Sequence, residues 1–68
     1  MATVKTVVNQ HFKRSIGACS RIQSHLYDLA AIYRERYPGF AAGCMALCET
    51  ALLLQEGIKE QHKILDTM

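Results

Sequence analysis

Tryptophan is missing from this sequence, proline occurs once and glycine four times. Few residues therefore break regular structure, and collagen-like or proline-rich disorder is excluded. No long apolar run is present. Strictly apolar stretches such as Ala51 to Leu54 are well short of the roughly 20 residues that span a bilayer. Cysteine is too sparse and unevenly placed for a secretory disulfide framework: Cys19, Cys44 and Cys48 are three, an odd number. No signal-peptide pattern follows Met1. These absences lead us to expect a cytoplasmic protein in a reducing compartment, without membrane attachment.

Half of the 68 residues are apolar, too many for a disordered chain. The length allows one domain, 1–68, but a chain this short buries only about 60% of the surface its unfolded form exposes. A lone helical hairpin would leave apolar surface uncovered, so a partner is expected, first of all a second copy.

Helical periodicity dominates. Val4, Val8, Phe12, Ile16, Cys19, Ile22 or Gln23, Leu26, Ala30, Tyr33 and Tyr37 recur at intervals of three and four. Thr3 or Thr6 supplies a hydroxyl to cap the start. Cys44, Leu47, Ala51, Leu54, Ile58, Gln61 and Leu65 repeat the spacing in the second half. Between them, Tyr37-Pro38-Gly39-Phe40 reads as a turn, because proline disfavours helical geometry before it and cannot donate a backbone hydrogen bond. The expectation is all-α: helix one over about 4–36, a turn at 37–40 and helix two over about 41–66. Two such antiparallel hairpins would make a four-helix bundle.

Folding about that turn pairs Tyr33 with Cys44, Ala30 with Leu47, Leu26 with Ala51, Cys19 with Ile58 and Phe12 with Leu65. Phe40 opens the second apolar pattern. In this register helix one overhangs helix two, leaving Val4, Val7 and Val8 without an intrachain neighbour.

No residue pattern points to catalysis or to a cofactor. Cys44 and Cys48 are one helical turn apart, but a four-coordinate zinc site needs two further ligands nearby and the register supplies only His25 as a candidate. His11, His25 and His62 have no nucleophile or carboxylate arranged beside them, and a hairpin offers no enclosed pocket. The spacing suits small apolar cysteines on a core face.

The charges split unevenly. Lys5, Lys13, Arg14, Arg21, Arg34 and Arg36 against Asp28 and Glu35 give residues 1–38 a net +4. Lys59 and Lys63 against Glu49, Glu56, Glu60 and Asp66 give residues 39–68 a net −2. Two elements lying side by side suit this split.

Two functional readings follow. The first is a non-enzymatic interaction protein, a homodimeric regulator or inhibitor of a larger protein, of a size found among phage and mobile-element products. Its target contacts would be Tyr27 and Tyr37, aromatics with large contact area, and the neighbouring Arg34 and Arg36. The second is a small dimeric nucleic-acid-binding regulator contacting phosphates through Lys13, Arg14 and Arg21.

Overall fold

The computed structural model describes residues 3–67. Two helices of 30 residues each, α1 (Val4–Tyr33) and α2 (Pro38–Thr67), lie against each other as an antiparallel hairpin. The hairpin is a flat slab measuring 52 × 22 × 9 Å. Thr3 caps α1: its hydroxyl accepts from the Thr6 amide at 3.2 Å, and its carbonyl accepts from Val7 at 3.1 Å. That satisfies donors which a helix start otherwise leaves open.

The turn lies three residues earlier than its sequence signature suggests, at 34–37. Arg34 keeps right-handed helical geometry, and the Tyr37 amide donates to the Tyr33 carbonyl at 2.8 Å. The Tyr37 carbonyl then accepts from Ala41 at 3.0 Å. Pro38 is thus the first residue of α2, a position where a missing amide hydrogen costs nothing and the fixed φ is already helical. The proline starts a helix instead of interrupting the chain. Gly39 is helical, and no described residue has a positive φ.

Moving the turn makes the two helices equal in length, and of the three valines expected to overhang, Val4 and Val7 stay exposed, Val4 by 81%. Val8 is half-buried near Leu65. The register tightens as well. Ala30 clusters with Ala41 and Cys44, while Leu47, its expected partner, stays exposed. Phe12 stacks on His62, with ring centroids 4.8 Å apart.

On α1 the seam runs through Asn9, Phe12, Ile16, Cys19, Gln23, Leu26 and Ala30. On α2 it runs through Ala41, Cys44, Cys48, Ala51, Gln55, Ile58, His62 and Leu65. Both have the alternating three-four spacing of a coiled coil. The buried side chains, Cys19, Ala30, Ala41, Cys44 and Ala51, are all small. Small residues let two helix backbones approach closely, so the helices meet along this line. Leu47 and Leu54, placed in the seam by the sequence pattern, lie beside it and are each 58% exposed. Phe40 and Tyr33 are also exposed, packing edge to face on each other at the turn with centroids 5.2 Å apart.

Polar groups in the seam find each other. Gln23 Nε2 donates to Gln55 Oε1 at 3.0 Å, and Gln55 Nε2 donates to the Ile16 carbonyl at 3.1 Å. The Cys48 thiol donates to the Gln23 carbonyl at 3.5 Å. Nearer the open end, His62 Nε2 and Asn9 Oδ1 share a hydrogen bond of 2.8 Å. Partners fixed in this way penalise a slipped register, because slippage would leave part-buried amides unsatisfied.

Candidate interaction surfaces

Beside the seam, an antiparallel pair of helices presents two sides, each built from the residues that flank the seam on both helices. One side carries a groove of about 350 Å³ near the turn. Tyr27, Ala31 and Arg34 border it from α1 and the turn, and Pro38, Ala42 and Met45 from α2. Two of the four expected target contacts, Tyr27 and Arg34, therefore meet at one place, two helical turns apart. Arg36 and Tyr37 lie in the turn itself, both exposed, with the Tyr37 ring tilted against Tyr33 at 5.9 Å. Met45 was not anticipated as a groove residue. Its signal was its spacing from Pro38, seven residues, which places both on one line of α2.

The basic residues Lys13, Arg14 and Arg21 are all exposed. Arg14 and Arg21 stand two turns apart on the outer face of α1. The same line continues to Asp28 and Glu35, so the basic stretch ends halfway along the helix.

The opposite side of the slab holds two histidines, His11 and His25, and no other ionisable side chain. On α1 it comprises every seventh residue from Val8 to Leu29 and from His11 to Ile32. On α2 it comprises every seventh residue from Phe40 to Gln61 and from Gly43 to Ile64. No Asp, Glu, Lys or Arg occupies any of these positions. Ile22, Leu29, Ile32, Phe40, Leu47 and Leu54 are exposed there, Ile32 by 71%. The sequence pattern had pointed to Phe40, Leu47 and Leu54, and to Ile22 as an alternative to Gln23, but not to Leu29 or Ile32. Their signal was the absence of charge along two adjacent heptad lines.

By length and composition α2 is apolar enough to cross a membrane, and only 17% of its most apolar stretch is buried within the hairpin. Packing against α1 therefore does not account for the hydrophobicity of α2.

The three cysteines are free thiols, with Cys19 and Cys44 buried in the seam and Cys48 half-buried beside Gln23. Among the described residues, no three His, Cys, Asp or Glu side chains gather as a metal-ligand set. Comparison with known proteins identifies no relative: no family model, curated protein or solved structure matches this chain.

Proposed function

We propose that this protein is a non-enzymatic interaction module, a homodimeric helical hairpin that binds a larger protein and modulates or inhibits it. One observation carries the reading. Among the described residues every buried side chain is an alanine or a cysteine, while Ile22, Leu29, Ile32, Phe40, Leu47 and Leu54 on one side of the slab and Tyr27 and Leu52 on the other stay exposed. Exposed apolar surface of this extent on so small a chain marks contact surfaces. Tyr27 and Arg34 at the groove, with Arg36 and Tyr37 at the turn, are the target contacts in this proposal. A tyrosine supplies apolar area and an arginine fixes orientation through a charged partner group. The free thiols suit a reducing, cytoplasmic setting.

A second reading rests on the exposure of Lys13, Arg14 and Arg21. It makes the protein a dimeric nucleic-acid-binding regulator, with affinity falling steeply as salt rises.

A tagged pull-down from source-cell lysate, with and without nuclease, separates the two. The interaction module gives one near-stoichiometric protein partner that survives nuclease and is lost in Tyr27→Ala. Recovery that vanishes with nuclease, and in Arg14→Glu/Arg21→Glu, overturns it in favour of nucleic acid.

A further inference from the structure

We infer that the side of the slab free of Asp, Glu, Lys and Arg is the seat of a second copy of this chain, packed face to face, with the Tyr27–Arg34 groove left facing outward. This inference rests on the homodimer proposed above and names the face that forms it.

Charge decides what can sit there. A charged partner surface would lose its hydration against this side and find no counter-charge in return. The occupant must itself be uncharged over the same length. The same side of another copy, with its histidines neutral, meets that condition with the same dimensions, and a twofold axis would bring the two faces together as an isologous contact.

Area points the same way. The uncharged lines run from Val8 to Ile32 along α1, about 36 Å at the helical rise per residue. With the 22 Å width of the slab, this is a footprint of roughly 800 Å², the contribution of each partner to an interface of standard size. The opposite side has no comparable uncharged extent: Lys13, Glu49, Glu56, Lys59 and Lys63 interrupt it.

Relief on the face is also suited to interdigitation. Gly43, Thr50 and Gly57 alternate with Leu47 and Leu54 along α2, small beside large, and a Cβ added at Gly43 or Gly57 would meet nothing within 4 Å. Such gaps accept the side chains of an opposing helix. A four-helix arrangement would then bury the leucines that a two-helix seam cannot reach.

Sedimentation equilibrium of the full chain, with paired glutamate substitutions on each side, tests the assignment. The wild type should be a dimer of twice 7.6 kDa. Leu47→Glu/Leu54→Glu should weaken association by at least about 100-fold. Leu52→Glu/Leu53→Glu, off this face, should change it less than about threefold. To keep poor folding of the first variant from deciding the result, the wild type is also followed by methyl NMR on dilution. Ile22, Leu29 and Leu47 signals should move while those of Leu52 and Leu53 stay. A dimer insensitive to Leu47→Glu/Leu54→Glu, with dilution shifts on the Leu52 side, overturns the face but keeps the homodimer. A wild type monomeric at millimolar concentration overturns both. If that monomer sediments with phosphatidylcholine vesicles, or captures a different protein in a Leu47-dependent way, the face belongs to that occupant.

Discussion

Near the turn, the two helices of the hairpin meet through Ala30, Ala41 and Cys44, side chains so small that the backbones themselves set the separation. At the open end they meet through Phe12 stacked on His62, with the interplanar angle only 11°, and through the His62–Asn9 hydrogen bond. Between these halves, Gln23 and Gln55 clasp each other across the seam. The turn half is tight because nothing bulky intervenes, and it is intolerant of added volume. The open half depends on shape and hydrogen bonding, and it is sensitive to removal.

Adding volume should therefore have the largest effect, and only near the turn. Ala41→Leu forces three extra carbons into the closest part of the seam and should cost about 3 kcal/mol in urea unfolding. A loss below about 1 kcal/mol would mean the turn half is not closely packed.

Breaking the clasp comes next. Gln55→Leu leaves the part-buried Gln23 amide without its acceptor and should cost about 2 kcal/mol. Replacing both partners, in Gln23→Leu/Gln55→Leu, should restore most of the melting temperature, since no amide is then stranded. A double variant as unstable as the single one would show that the glutamines contribute by packing, not by satisfying each other.

At the open end, His62→Ala removes the stack on Phe12 and the hydrogen bond to Asn9 together. About 1.5 kcal/mol should be lost in thermal unfolding. Hydrogen exchange should rise over both helix ends there, with protection at Ala30 and Cys44 unchanged, if the halves are as independent as their different packing implies.

The smallest change should be a gain. Gly39 is helical and exposed, and a Cβ there meets nothing within 4 Å. Gly39→Ala should raise stability by about 0.7 kcal/mol, by restricting the unfolded chain and favouring the first turn of α2. Destabilisation would mean that the turn half needs a conformation at Gly39 other than the helical one.

The halves also differ in how legible they were. The small residues of the turn half lie on a clear three-four spacing, so Cys44 and Ala51 were placed in the seam from sequence. Leu47 and Leu54 were placed there too, because a stripe through 44, 47, 51 and 54 has the same spacing as one through 44, 48, 51 and 55. Hydrophobicity favoured the leucines. The glutamine clasp and the small Cys48 favour the other line, and a pattern of apolar residues does not register a pair of amides that satisfy each other. Phe12 was assigned to the inner face and lies there, but its stacking partner is a histidine that apolar periodicity passes over. Tyr27 and Arg34 were picked for their chemistry, and only the groove joined them to Met45 and Pro38 from the other helix.

The sequence by itself determined that this chain forms two helices joined near Pro38, because periodicity, a threonine cap and one proline act over neighbouring residues. It also held the charge pattern that separates the two sides of the slab. The tertiary structure alone decided which of two equally spaced stripes on α2 becomes the seam, and where the turn closes. Both depend on contacts between residues far apart in the chain: how near two backbones can come, and which amides meet when they do.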